Sequence, residues 1–135
     1  MQKTVMTFWT FDLFHPGHEY YLTQAKKYGK LITIISRDEN VNKLKWRFPV
    51  DNEQIRLENV KNSQISDIVE LGDSSDYLAC IRKHNPEIIC LWYDQTWFIE
   101  ELKKDENFKN IEIIRLKSYK PEIYKSSILR EKLNK

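Results

Sequence analysis

Short apolar runs alternate with amphipathic stretches along the whole chain. Residues 4–8 (Thr-Val-Met-Thr-Phe), 31–35 (Leu-Ile-Thr-Ile-Ile) and 87–91 (Glu-Ile-Ile-Cys-Leu) are almost continuously hydrophobic, as strands buried on both faces are. Residues 65–71 predict a further short strand between the last two, and 111–116, with only partial polar alternation, predict a fifth. Helical patterns lie between them. After His15, Tyr21, Leu22, Ala25 and Tyr28 recur at helical spacing, and Gly29 stands where a left-handed cap is wanted. Asp51, with Gln54 three residues on, predicts a capped helix running to about Asn62. Ser74 or Ser75 opens a helix that turns Tyr77, Leu78 and Ile81 inward and ends before Asn85-Pro86. Thr96 opens another, bearing Phe98, Ile99 and Leu102. Residues 39–50 predict a long irregular connection that holds Lys43, Lys45, Trp46 and Arg47, a mobile basic flap or a solvated loop. The alternation predicts an α/β fold, a parallel sheet covered by helices on both faces.

Composition narrows the class. The 135 residues suit one domain, 1–135, and neither repeat nor linker interrupts them. A formal charge of +2 gives no ground for a nucleic-acid or membrane partner. The N-terminus lacks the basic-then-apolar pattern of a signal peptide, and no apolar stretch approaches the roughly 18 residues of a membrane span. A cytoplasmic protein is expected, with Cys80 and Cys90 as buried free thiols. Two cysteines without Cys-x-x-Cys spacing and three histidines do not predict a zinc site. His84, near a helix end, is expected to meet the dipole and solvent. Nothing in the sequence sets the oligomeric state, and a homodimer is left open. Glycine is scarce: three residues, where ordinary usage near 7% would give about nine.

The chemistry concentrates in residues 8–18, Phe-Trp-Thr-Phe-Asp-Leu-Phe-His-Pro-Gly-His. A strand ends there and a helix begins at once. Pro16 suits the first helical position, and Gly17 allows a ligand close to the backbone. A helix start offers outward N–H groups and the positive end of the dipole, so it favours an anion. His15 and His18 add two imidazole donors at that end, which points to phosphate. Asp38 ends the second strand, where parallel sheets bind ligands, and Arg56 in the next helix can fork onto a phosphate.

Thr10-Phe11-Asp12-Leu13-Phe14-His15-Pro16-Gly17-His18 resembles the signature of the cytidylyltransferase-like nucleotidylyltransferases, which include glycerol-3-phosphate cytidylyltransferase and the archaeal-type FAD synthases. Trp92-Tyr93-Asp94-Gln95 resembles the Gly-Tyr-Asp-Gln of the archaeal-type FAD synthases. Ser126-Ser127 resembles the paired hydroxyl residues that begin the last helix of the family; an arginine opens that motif in the cytidylyltransferases, and Lys120 lies nearest here. The resemblance implies a Rossmann-like sheet of strand order 3-2-1-4-5, with the site at the switch between strands one and four. It implies transfer of a nucleoside monophosphate from ATP or CTP, carried with Mg²⁺, to a phosphorylated acceptor such as FMN or glycerol 3-phosphate, releasing pyrophosphate. His15 and His18 would donate to the phosphate oxygens, and Lys43, Lys45 and Arg56 would hold the outer phosphates. Thr10, Phe11, Asp12, Gly17, Asp38, Asp94, Gln95, Ser126 and Ser127 would line the nucleotide site.

Three departures share one form. Trp9, Trp46 and Trp92 stand where the family has glycine. The resemblance therefore implies a second expectation, a nucleotidylyltransferase fold whose pocket these indoles block, binding nucleotide weakly or not at all. A single cause would account for all three: UGA, read as glycine in some bacterial lineages, rendered here as tryptophan.

Overall fold

The structure is a computed structural model that describes residues 2–45, 47–74, 76, 78–96 and 99–117. Five strands, β1 (Thr4–Trp9), β2 (Lys30–Ile35), β3 (Ile68–Leu71), β4 (Ile88–Leu91) and β5 (Glu112–Arg115), form one sheet of order β3-β2-β1-β4-β5. Every neighbouring pair is parallel. The central register places Val5 between Leu31 and Ile88, and Thr7 between Thr33 and Cys90. This is the Rossmann-like order that the resemblance implied.

Alternation along each strand divides the core. Val5, Leu31, Ile35, Ile88 and Cys90 face one way, against Tyr21, Leu22 and Ala25 of α1 (Pro16–Lys26) and Val60 of α3 (Glu53–Asn62). Met6, Phe8, Ile32, Ile34, Ile89 and Leu91 face the other way, against Cys80 and Ile81 of α4 (Ala79–His84) and Ile99 and Leu102 of α5 (Ile99–Lys104). Both cysteines are buried and free. Two hydroxyl groups interrupt the aliphatic layer: Thr7 and Thr33, both fully buried, share a hydrogen bond of 2.9 Å, and Thr33 shares another of 2.6 Å with Ser66.

Several boundaries differ from the predicted ones. The connection 39–50 is in good part a helix, α2 (Asp38–Lys45). Asp38 and Glu39 in its first turn and lysine in its last suit the helix dipole, and Val41 is buried, so the irregular connection is shorter than predicted. Asn52, not Asp51, caps α3, its Oδ1 accepting from the Ile55 N–H at 3.0 Å. β3 begins only at Ile68, because Gln64 turns left-handed (φ 59°) and the Asp67 carboxylate accepts from the Leu31 N–H. Helix α4 starts at Ala79 without a side-chain cap rather than at a serine; Ser75 and Tyr77 lie outside the described residues. Gly29 is not a left-handed helix cap. The cap is Lys27 in ordinary helical conformation, and a Cβ on Gly29 (φ 155°) would lie 2.1 Å from the Lys3 carbonyl oxygen. His84 meets Glu70 at 2.9 Å instead of solvent alone. Among the described residues no helix is long and apolar enough to cross a membrane.

Candidate functional site

β1 delivers the chain into a turn with an unusual backbone. Phe11 and Leu13, neither of them glycine, adopt φ of 57° and 50°. Each such conformation costs about 1–3 kcal/mol and persists only where its surroundings over-determine it. Phe11 is fully buried, its ring 5.3 Å edge-on from His18 and 6.2 Å from Tyr21.

The turn ends in a helix cap built from histidines. His15 is the N-cap of α1, and its Nδ1 accepts from the Gly17 N–H at 3.0 Å. The His15 N–H in turn donates to Nδ1 of His18 at 3.3 Å. This is a capping box in which imidazoles replace the usual hydroxyl and carboxylate. The two rings stack with centroids 3.8 Å apart. Because each Nδ1 accepts a hydrogen bond, the neutral tautomer assigned from these roles carries its proton on Nε2. Burial pushes the His15 pKa down to about 4, so that ring is neutral at physiological pH. The arrangement sets two imidazole N–H donors, both Nε2 atoms buried, at the positive end of α1. Pro16 occupies the first turn as predicted.

Arg56 departs from its expected role. Its side chain is fully buried and commits Nη1 to the Thr10 carbonyl (2.7 Å), Nε to the Asp51 carbonyl (3.1 Å) and Nη2 to Oδ1 of Asp38 (2.6 Å). A triphosphate could reach this fork only by dismantling it. Asp38 accordingly serves Arg56 and the start of α3, where its Oδ2 accepts from the Glu53 N–H at 3.2 Å. Glu53 returns the bond, accepting from the Asp38 N–H at 3.0 Å and from Arg37 at 3.0 Å. Asp12, also buried, accepts from the Val50 and Asp51 N–H groups, each at 2.9 Å.

Glu53 was not legible as a partner of Asp38, since helix-start glutamates are common and these two lie fifteen residues apart. Lys43 is exposed on α2, and Asp94 is exposed in the turn after β4. Gln95 is buried there, its Oε1 accepting from the Trp92 N–H at 3.2 Å, and its Nε2 has no partner among the described residues. Trp46, Lys120, Ser126 and Ser127 lie outside the described residues.

Trp9 and Trp92 meet at the strand ends. Trp92 directly follows β4 and is only 6% exposed. Its ring stacks on Trp9 at the end of β1, with centroids 5.4 Å apart and planes 19° from parallel. It stands edge-on to Tyr21 at 5.1 Å and lies 5.2 Å from His18. An indole thus fills space beside the histidine cap, at the switch between β1 and β4 where open α/β sheets take their ligands.

Residues 7–132 match the model of the cytidylyltransferase-like family. The chain belongs to that family. By family it is a nucleotidylyltransferase. Its relatives include the FAD synthase of Methanothermus fervidus, 42% identical over 82% of this chain and 80% of that protein. The FAD synthase of Methanolacinia petrolearia is 41% identical over 93% of this chain and 85% of that one. Among solved structures, this cytidylyltransferase-like chain is similar to the lipopolysaccharide core biosynthesis protein of Thermoplasma volcanium GSS1. The two superpose with a TM-score of 0.78 at 28% identity, over 88% of this chain and 99% of that one.

Proposed function

We propose that this nucleotidylyltransferase takes ATP and FMN, forming FAD and pyrophosphate. The observation that carries the reading is the stacked pair His15–His18 at the head of α1, with Nδ1 of each ring accepting a backbone N–H and the proton assigned to Nε2. The choice of substrates rests on the FAD synthases that the chain resembles over most of their length. A terminal phosphate oxygen of FMN would form a bond to the α-phosphorus of ATP. The bond from that phosphorus to the bridging oxygen of the β-phosphate would break, and pyrophosphate would leave with the electron pair. Such a transfer depends on positioning and charge neutralisation more than on covalent help from the protein. The histidines would donate to the phosphate oxygens on which charge accumulates. Lys43 would face the outer phosphates, while Gly17 leaves room beside the helix start. Gln95 and Asp94, with Ser126 and Ser127, would meet the nucleotide.

Mg²⁺ is held by one or two carboxylates plus substrate phosphates in most nucleotide sites. The ion would arrive on the triphosphate, whose charge it would neutralise.

A labelled-nucleotide screen of ATP and CTP against FMN, glycerol 3-phosphate and choline phosphate tests the substrate assignment. Label from ATP should appear in a product only with FMN. A product from CTP and glycerol 3-phosphate would transfer the reading to the cytidylyltransferases.

The position of Trp92 favours a second reading, a fold of this family whose pocket is closed. Nucleotide would then have to displace an indole that packs against Trp9, His18 and Tyr21, among other rings. Titration with ATP separates the readings. The Trp9→Gly/Trp46→Gly/Trp92→Gly variant should bind ATP roughly tenfold or more tightly than the unaltered chain, seen as a larger thermal shift. Equal shifts in both proteins would remove the closed-pocket reading.

A further inference from the structure

Two buried charged side chains join the parts of the site without offering themselves to a ligand. The Asp12 carboxylate receives the N–H groups of Val50 and Asp51, one on each oxygen. Arg56 joins the carbonyl of Thr10, the carbonyl of Asp51 and the carboxylate of Asp38. Together they tie the turn after β1, the start of α2 and the start of α3 into one unit. Asp12 lies between the two left-handed residues, Phe11 and Leu13, and is 2% exposed. A conformation that costs free energy on both sides of Asp12 needs something to hold it. Bonds on both sides of the turn, at Thr10 and at Asp12, supply the hold.

We propose that Asp12 and Arg56 are positioning residues of the transfer site. They keep Phe11 and Leu13 left-handed and thereby set His15 at the head of α1. They also anchor both ends of the segment 38–51, which comprises α2 and the connection after it. The catalytic consequence rests on the proposed nucleotidylyl transfer, but the positioning does not, and the two can be tested apart.

Hydrogen exchange on the whole chain reads the anchoring. Asp12→Asn replaces one acceptor oxygen by an amide nitrogen, so the amides of Val50 and Asp51 should exchange roughly tenfold or more faster, with those of Met6 and Ile32 unchanged. Substitution at Leu13 reads the turn. Leu13→Gly should melt higher than Leu13→Ala, the reverse of the usual order, because only glycine takes positive φ freely. The loss caused by Asp12→Asn should be smaller in the Leu13→Gly background than in the Leu13→Ala background. Should Asp12→Asn fail to fold alone, the glycine background keeps the comparison available.

In a transfer assay, Asp12→Asn and Arg56→Lys should each lower kcat roughly tenfold while KM for ATP stays within about threefold. Leu13→Gly should restore part of kcat to Asp12→Asn. Unchanged exchange at 50–51, or equal losses in the two Leu13 backgrounds, would overturn the positioning role. An absence of transfer with those results intact would instead count against the proposed reaction.

Discussion

Tyr21 Oη donates to the carbonyl of Cys90 across 2.6 Å, joining α1 to β4 inside the core. Both residues are buried, and the tyrosine ring also stands edge-on against Trp92. The helix headed by the two histidines is therefore pinned to the strand whose end forms the other wall of the site. Tyr21→Phe keeps the ring and removes only the donor. It should cost about 1–3 kcal/mol, as loss of a buried partner does, read from the urea midpoint. An unchanged midpoint would show that the bond contributes nothing net.

His15 has two separable duties. Asn at position 15 can still accept from the first-turn N–H groups, but it lacks the imidazole Nε2 donor. His15→Asn should hold stability within about 1 kcal/mol, while turnover falls roughly a hundredfold or more with little change in KM, as for loss of a transition-state donor. His18→Ala should show the same kinetic loss. If the unaltered chain proves silent, the three-glycine variant is the background for the measurement. Full turnover in both histidine variants would remove the pair from the mechanism.

The buried His15 also makes stability depend on pH. Its pKa falls from 6.5 to about 4 on folding, so between those values the unfolded chain binds the extra proton. The contribution is fully present above pH 6.5 and is lost as pH falls through about 4. The whole effect is on the order of 3 kcal/mol. Urea melts at neutral pH and near the lower pKa should differ by much of that amount, and His15→Asn should narrow the gap. Equal narrowing in a control variant such as His84→Asn would assign the effect elsewhere.

The tryptophans at positions 9, 46 and 92 are predicted to be UGA codons whose native reading is glycine. Six glycines would then replace the present three, closer to ordinary usage. Mass spectrometry of peptides from the native source should find glycine at all three positions. UGG at these codons, or tryptophan in the native protein, would end this explanation and leave the indoles as the chain's own.

Legibility in the sequence followed the range of the interactions. The strands were legible because Val5, Met6, Ile32, Ile34, Ile88 and Ile89 are buried whichever face they take, which makes the run itself the signal. The histidine cap was legible as a local motif, since Pro16 and Gly17 announce a helix start. The duty of Arg56 was not. An arginine in a helix next to a phosphate site reads as a ligand, and its true acceptors are a carbonyl at Thr10, another at Asp51 and a carboxylate at Asp38. None of these can be inferred from periodicity. Helix α2 was missed because its inward face is marked by little more than Val41, and three lysine or arginine residues nearby read as loop.

The hydroxyl contact between Thr7 and Thr33 has a consequence for how the chain chooses one sheet. Parallel strands of valine, leucine and isoleucine can slide past one another by two residues and bury nearly the same hydrocarbon. Such a slip would set Thr7 against Leu31 or Ile35 instead of Thr33. The Thr7 hydroxyl would then be buried without its partner, at about 1–3 kcal/mol, and Thr33 would keep only Ser66. Two oxygens in an oily layer thus act as an address. They admit one alignment of β1 on β2, and in that alignment the two strands stop level, Trp9 beside Ile35, where the histidine turn departs.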